Sequence, residues 1–593
     1  MCRSLLPKRL QSAVMPNPSE LVALLRSPSF RNGLVQSFAW VVFAGVAALG
    51  TSIERQAGES LFCATLMLIA ALALLSITRR VALSLLLVAG TVLVLRGVSL
   101  VKTRYLGTPL FAPDLFYFSN ADTLHVLQQY PKVWHGAVKK ALLAVLVIAL
   151  CWRWERPLWN TRTRRARSTW RGGTAALTLL LCWLVVLPGG PFRRVIAKDV
   201  WEAINPGSPL TSFVLSVSRM QVRAPAVPEA AADRYEWIDE APVSNPPDAH
   251  VAPDIVVVLE ESTFDPSTLA VCTIPACTVP MLQGDAHTRA HGPLRVHTYG
   301  GGTWTSEFAL LSGIPTPMFG PGGVYAPYNL ANRIAPTLPK TLRAQGYRTI
   351  AVYPMPGSFV NAQRAYAAYG FDEFHDTSEF DRAWESPDDV VFDEFEKVYK
   401  ETRARTDQPL FFMVLTMRQH GPHADPYATL DAPFDKPLFT SLDERRGLAL
   451  SNYLARLHSS DRALQRLQER LFGGSRPVLL AHFGDHQPSF EGLLSDMPRT
   501  AAAQRLTDMH RVTYFALSTD GWVPTSTHEY PVLDLGFLGG LILDTAGLRK
   551  DAFFAANARL REHCQGRYLD CPDQAALESY EAFIFQRLHV LGN

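Results

Sequence analysis

Three glycines running into a hydroxyl residue, Gly300-Gly301-Gly302-Thr303, carry the strongest chemical signal in this chain. Glycines let the backbone turn tightly and come close to a ligand. Trp304-Thr305-Ser306-Glu307-Phe308 follow, and Ser306 to Leu311 reads as the start of a helix. A helix N-terminus offers unpaired N–H groups and a partial positive charge, which suit a phosphate. Thr303 stands where a hydroxyl oxygen could attack a bound phosphoryl group. Taken alone, the stretch is also an ordinary helix cap, with Thr303 or Thr305 as N-cap. Three further clusters shift the balance. Glu260-Glu261-Ser262, Met417-Arg418-Gln419-His420 and Gly484-Asp485-His486 each follow an apolar run. Glu, Asp, His and a hydroxyl oxygen make a mixed oxygen and nitrogen set suited to a borderline divalent cation such as Mn²⁺ or Zn²⁺. Such a cation acidifies a bound hydroxyl and polarises a phosphoryl oxygen.

The elements that must position these groups are four runs of strand character: Ile255–Leu259, Thr349–Val352, Phe411–Leu415 and Val478–Ala481. Helical stretches, Thr337–Gln345 and Asn452–Leu471, separate them. Continuous apolar runs of this kind predict a parallel sheet covered on both faces. Ligands bind such sheets at the carboxyl ends of the strands, where Glu261, His420, Asp485 and His486 fall.

Ahead of this region the chain changes character. Of its 593 residues, those up to about Phe192 are largely apolar blocks with basic flanks. Five blocks are candidates to cross a bilayer: Asn32–Ile53, Ser60–Thr78, Val81–Leu95 continuing to Val101, Ala141–Trp152 and Gly172–Phe192. A span needs ~20 apolar residues, so Ala141–Trp152 crosses only if Lys139 and Lys140 snorkel and the helix extends back towards Val133. Arg and Lys gather before the first block, between the second and third, and between the fourth and fifth. By the positive-inside rule the N-terminus is cytoplasmic, and an odd number of spans puts everything after Phe192 outside. No cleavable signal pattern opens the chain, so the first helix would serve as the anchor. The outer loop Lys102–Lys140 reads as a segment lying on the membrane surface or as a solvated loop. Residues 193–251 read as a connector, with a helix over Ser208–Val222 and Ala/Pro-rich extended stretches. A net charge of +3 is too small to argue for nucleic acid.

Cysteines agree with this topology. Cys63, Cys151 and Cys182 lie in membrane blocks and Cys2 at the cytoplasmic end, leaving Cys272/Cys277 and Cys564/Cys571 as two close outer pairs. In an oxidising compartment these read as local disulfides. Neither pair has the two-residue spacing of a metal-ligand pair, and no histidine cluster joins them.

With these motifs in place the sequence resembles the lipoteichoic-acid-synthase-like phosphoglycerol transferases of the alkaline phosphatase/sulfatase superfamily. Leu259-Glu260-Glu261-Ser262, Gly302-Thr303 with Glu307-Phe308, and Gly484-Asp485-His486 carry the resemblance. So does Leu338–Phe371, with Gln345-Gly346-Tyr347 and Tyr369-Gly370-Phe371-Asp372. It implies an α-helical membrane domain of five transmembrane helices (1–192), a connector (193–251), and an extracytoplasmic α/β sulfatase-like domain with a mostly parallel central sheet (252–593). It also implies one divalent metal on Glu261, Thr303, Asp485 and His486, with Mn²⁺ preferred over Zn²⁺ or Mg²⁺. Thr303 would be the nucleophile and His420 a substrate-site acid or phosphate ligand, with Glu260 and Thr305 as the fallbacks for Glu261 and Thr303. The implied partners are a phospholipid donor, a glycan or polyol acceptor and a bacterial cytoplasmic (inner) membrane.

One departure stands out. Where the family has an aromatic-Asn-Arg step contacting the head group, this chain reads Phe359-Val360-Asn361-Ala362-Gln363-Arg364. Asn361 and Arg364 are therefore the substrate-binding candidates, with Arg364 displaced from the expected position. A sulfatase nucleophile needs Cys or Ser before x-Pro-x-Arg, which Cys277-Thr278-Val279-Pro280-Met281 does not supply. Phosphoethanolamine transferases, which place a disulfide-bonded Cys before Gly-Thr where this chain has Gly301, stand as the runner-up reading, with a phospho- or sulfo-ester hydrolase as a further alternative. A degenerate sensor or binding module would lack a metal ligand, and all four are present.

Overall fold

The computed structural model describes residues 27–592 apart from 55, 159–162, 198–208, 220, 239–251, 425–429, 437, 507 and 523–526. Cys2, the basic residues up to Arg26 and most of the extended part of the connector lie outside the described residues. Two compact units emerge, 1–98 with 132–212, and 99–131 with 213–593.

Seven helices open the described chain: α1 (Pro28–Ile53), α2 (Ala57–Thr78), α3 (Val81–Leu106), α4 (Ala112–Tyr117), α5 (Ala121–Gln128), α6 (Pro131–Trp154) and α7 (Arg164–Val186). Five of them, α1, α2, α3, α6 and α7, are long and apolar enough to cross a membrane. The weak fourth block gains its length backwards, because α6 begins at Pro131 and takes Lys139 and Lys140 into the helix. Within the first unit, the buried Glu155 carboxylate accepts hydrogen bonds from the N–H groups of Ala82 and Leu83 at 2.7 and 2.9 Å. It thereby satisfies donors that the first turn of α3 leaves open. The connector helix expected over Ser208–Val222 is α8 (Pro209–Arg219).

In the second unit nine strands form one sheet in the order β4-β3-β5-β1-β6-β7-β2-β8, with β9 also paired to β2. They are β1 (Asp254–Glu260), β2 (Thr288–Arg295), β3 (Arg348–Val352), β4 (Glu373–His375), β5 (Leu410–Leu415), β6 (Val478–Gly484), β7 (Val512–Thr519), β8 (His528–Glu529) and β9 (Leu533–Asp534). From β4 to β6 every pairing is parallel, while β7 runs antiparallel to both β6 and β2. The expected mostly parallel sheet is therefore present, with an antiparallel extension.

Both faces of the sheet are covered, as continuous apolar strands require. Ile255, Val257 and Leu259 of β1 pack into the core that includes Phe308 of α9 (Thr303–Ser312). Val256 and Val258 point the other way, into a core shared with α10 (Asp389–Arg403) and α11 (Glu444–Phe472). The two expected disulfides, Cys272–Cys277 and Cys564–Cys571, are formed, and Cys63, Cys151 and Cys182 are free thiols. Residues 99–131, expected with the anchor, pack as part of the second unit.

The foot of β1 is held by a buried carboxylate. Asp254 accepts from Arg403 Nη2 at 2.8 and 2.9 Å, from the Leu410 N–H at 2.9 Å and from Tyr399 Oη at 2.7 Å. It thus ties β1 to α10 and β5. Removing one partner of a buried pair costs about 3–5 kcal/mol, because the other charge is left uncompensated. Asp254→Ala should therefore lower the melting temperature of the detergent-purified full chain by several degrees, and an unchanged melting curve would rule this anchor out.

Candidate active site

Parallel register creates the site. Glu260 pairs with Gly484 across β1 and β6, so the residues after them, Glu261 and Asp485, leave the sheet side by side. Ser262 follows with a left-handed φ of 53°, and its N–H donates to Asp485 Oδ1 at 2.8 Å. Its hydroxyl donates to Glu261 Oε1 at 2.9 Å. One β-turn-like kink thus orients both carboxylates.

His486 completes a triad in which the ligand atoms of Glu261, Asp485 and His486 all lie within 4.8 Å of one another. Its Nδ1 sits 3.1 Å from the Gln487 carbonyl oxygen, which can only accept, so Nδ1 carries a hydrogen. That turns Nε2 towards the carboxylates, 3.3 Å from Glu261 Oε1 and 3.3 Å from Asp485 Oδ2. Asp485 Oδ2 and His486 Nε2 are buried yet make no well-angled hydrogen bond. A backbone-oriented imidazole and two buried acceptors facing one point are what a divalent cation requires of its ligands.

The hydroxyl is delivered by α9. Gly300, Gly301 and Gly302 all have positive φ, and Gly302 is the N-cap of this helix. Gly300 is sterically required, since a Cβ there would strike the Tyr105 main-chain carbonyl, whereas one on Gly301 would meet only the movable end of the Leu106 side chain. Thr303, the first helical residue, donates its hydroxyl to Glu261 Oε2 at 2.8 Å. Thr305 instead donates to the Gly302 carbonyl at 2.8 Å. Ser306, one turn along, donates to the Asp485 carbonyl oxygen at 2.6 Å and ties α9 to β6.

Electrostatics follow the geometry. Burial alone would raise Glu261, but the neighbouring His486 charge, His420 and the Thr303 hydroxyl hold it below the usual carboxylate range. Burial and then the Glu261 charge push Asp485 up. Burial disfavours the charged form of His486, yet Asp485 and Glu261 outweigh it and raise the imidazole to about 9. Two buried carboxylates and one imidazole therefore share a deficit of positive charge.

His420 reaches the same centre from the end of β5, with Nε2 4.0 Å from Glu261 Oε1. Its ring stands edge-on to Trp384 at 4.8 Å, and burial lowers its pKa. Arg456, fully buried, holds that loop by donating to the carbonyls of His420 and Pro422, each at 2.7 Å. Glu260 is the other way up, on the Val256 and Val258 face, where burial and then Asp388 and Asp461 raise its pKa. Asn361 spends its side-chain amide on the Pro327 carbonyl at 2.7 Å. Arg364 is exposed on the helix Ala362–Tyr369. The structure thus gathers Glu261, Thr303, Asp485, His486 and His420, and shows no contact of Asn361 or Arg364 with them. Sequence reasoning did not single out Ser262, Ser306 or Arg456. Ser306 alone had a readable signal, its place one turn after Thr303.

Comparison with known proteins now bears on this geometry. Residues 253–537 match the Sulfatase family model. The second unit holds a sulfatase-like domain. An uncharacterized protein of Haemophilus influenzae is 31% identical over 351 residues, which are 57% of this chain and 62% of that relative. A Rhizobium meliloti protein provisionally named for cyclic beta-1,2-glucan modification is 26% identical over 426 residues, 69% of this chain and 64% of its own length. The chain therefore spans just under two thirds of the length of these relatives. Among solved structures, the Streptococcus pyogenes phosphoglycerol transferase GacH in complex with sn-glycerol-1-phosphate is similar at 18% identity. That match covers 56% of this chain and 86% of the other, with a TM-score of 0.44. In this sulfatase-like domain the triad and the Thr303 hydroxyl converge at the carboxyl ends of β1 and β6.

This geometry assigns the two adjacent glutamates different fates. Metal analysis of the purified full chain should find about one Mn²⁺ or Zn²⁺ per chain, the stoichiometry of a single mixed oxygen and nitrogen site. Glu261→Gln should lose it and Glu260→Gln should keep it. Equal occupancy in the two variants would contradict the assignment.

Proposed function

We propose that the chain transfers a phosphoglycerol head group from phosphatidylglycerol in a bacterial inner membrane to an envelope glycan, through a covalent intermediate on Thr303. The observation that carries this reading is the Thr303 hydroxyl at the start of a helix, 2.8 Å from Glu261 and beside the Asp485 and His486 cluster. The motif resemblance supports the glycerol head group. The provisional name of the Rhizobium meliloti relative favours a glucan acceptor. Five apolar helices and two outer disulfides support a membrane-anchored domain on the extracytoplasmic side.

In this reading Thr303 Oγ1 gives its hydrogen towards Glu261 Oε2 and attacks phosphorus, where the helix N-terminus favours negative charge. A divalent cation on Glu261, Thr303, Asp485 and His486 would acidify that hydroxyl and draw charge from a phosphoryl oxygen. The bond from phosphorus to the diacylglycerol oxygen breaks as the Thr303 ester forms. His420 protonates the departing oxygen, then takes the proton from the acceptor hydroxyl in the second half. Acceptor attack breaks the Thr303 ester and returns the hydroxyl.

The test is an intermediate trapped on one residue. Full chain incubated with labelled phosphatidylglycerol, without acceptor, should release diacylglycerol and carry glycerol phosphate on the Thr303 peptide by mass spectrometry. Thr303→Ala should retain less than about a thousandth of the release, as expected when a nucleophile is removed. Ethanolamine phosphate from phosphatidylethanolamine would replace the head-group assignment, and label on Thr305 would move the nucleophile. No adduct and no diacylglycerol from either lipid, with metal bound, would overturn the reaction.

A further inference from the structure

The segment between α3 and α6 has two contrasting sides. Its inner side braces both loops of the site. Tyr105 and Leu106 occupy the space that side chains on Gly300 and Gly301 would need, and the Phe118 ring lies 5.2 Å from that of Trp304, next to Thr303. Tyr117 lies 4.5 Å from the Tyr328 ring and accepts its hydroxyl at the main-chain carbonyl, 3.0 Å away. At the other end, a Cβ on Gly421, next to His420, would lie 3.3 Å from Tyr130 Oη. Asp114 fixes the segment: it accepts from Lys102 Nζ at 2.6 Å, from the Phe111 N–H at 2.7 Å and from Tyr325 Oη at 2.8 Å, and it is buried.

The segment also exposes large apolar side chains, beside the polar Ser119, Asn120, His125 and Gln128. Phe116 is 81% exposed, Leu115 47%, Leu124 46% and Leu127 39%. Single exposed apolar residues are ordinary on a folded surface. Four large ones on two successive short helices, with Val126 of the second packed against the domain core, call for a partner. The place of the segment in the chain selects that partner. It starts where α3 ends and finishes where α6 begins, and both are long and apolar enough to span a membrane. Only residues 107–130 separate them, so chain connectivity ties this segment to the ends of two helices of spanning length.

We propose that residues 107–130 form a strap that enters the lipid surface. Leu115, Phe116, Leu124 and Leu127 insert at the acyl and head-group boundary, which holds the Thr303 loop, braced by the segment, at the surface where the donor phospholipid lies. The donor role rests on the transfer reaction above, whereas the lipid contact does not. Amphipathic helices of this kind lie in the interface with their apolar side buried. Phe116 and its neighbours thus seat the strap in the lipid surface, while Asp114 and Tyr105 set the position of the strap against the site.

Photocrosslinking separates the possibilities. Phe116→p-benzoylphenylalanine in the full chain, reconstituted with labelled phosphatidylglycerol, should attach labelled lipid at that position. The yield should be at least about tenfold above Glu401→p-benzoylphenylalanine, on an exposed polar face of α10, as apolar contact predicts. Crosslinked chain dimers in place of lipid adducts, or equal labelling at the two positions, would overturn the strap. Phe116→Ser combined with Leu124→Ser should raise KM for bilayer phosphatidylglycerol about tenfold or more. It should leave kcat, and turnover of a short-chain soluble analogue, within about twofold. Lipid labelling at 116 with no release of diacylglycerol upholds the strap and rejects the reaction. Release of diacylglycerol with no labelling at 116 and an unchanged KM rejects the strap alone.

Discussion

Two carboxylates buried together, Glu261 and Asp485, set the terms for everything around them. Like charges closer than 4.8 Å repel by about 3–4 kcal/mol even at an effective dielectric of ~20, and burial adds to the cost of ionising them. Parallel pairing of β1 with β6 makes their closeness unavoidable. The surroundings answer the repulsion residue by residue: Ser262 donates to both, Thr303 donates to Glu261, and His486 places its Nε2 3.3 Å from each. None of these neighbours could be apolar without leaving an uncompensated charge. The cluster is stable only as a set.

The same requirement reaches outward through the glycines. For Thr303 to meet Glu261, α9 has to begin close against the sheet edge, and three successive positive-φ residues bring the chain there. A glycine loop has no side chains to hold it in place, so it depends on neighbours. Here the Tyr105 carbonyl and the Leu106 side chain rest against it, and Gly300 N–H donates to the Gln487 carbonyl at 2.9 Å. A segment that looks like a membrane loop in sequence is therefore part of the wall behind the candidate nucleophile. Arg104 extends the effect by donating to the Glu491 carbonyl, while the Glu491 carboxylate accepts from the N–H groups of His423 and Ala424, just after His420.

What the sequence disclosed follows from how local each signal is. Strands β1, β3, β5 and β6 were legible because a strand buried on both faces reads as an unbroken apolar run. β2, with the sequence Thr-Arg-Ala-His-Gly-Pro-Leu-Arg, carries no such run, and neither it nor β7 was foreseen. The choice of Glu261 over Glu260 came from resemblance, and its physical basis is strand alternation, which sends Glu260 with Val256 and Val258 to the opposite face. Asn361 and Arg364 show the converse. A departure from the family's motif offered them as substrate-binding candidates; the amide of Asn361 donates to the Pro327 carbonyl, and Arg364 lies on an exposed helix face. The full length of α6 was hidden by Lys139 and Lys140, since a hydropathy run stops at charges that a helix can carry on its surface. The packing of Phe118 on Trp304 joins residues far apart in the chain, and no periodicity records such a contact.

Glu307 shows how narrow the charge balance is. It lies one helical turn beyond Thr303 and is buried, and burial followed by the charge of Asp485 raises its pKa to about 8. At pH 7 it is therefore mostly neutral. If a dication is held there, two ionised carboxylates and a neutral imidazole would balance it, and a third ionised carboxylate in the same low-dielectric space would leave an excess negative charge. That excess would oppose an incoming phosphate, which is itself an anion. Keeping Glu307 protonated costs the domain a buried acid with one oxygen, Oε1, lacking a hydrogen bond. In return the helix brings its positive N-terminal end, and no additional negative charge, to the place where a phosphoryl group would sit.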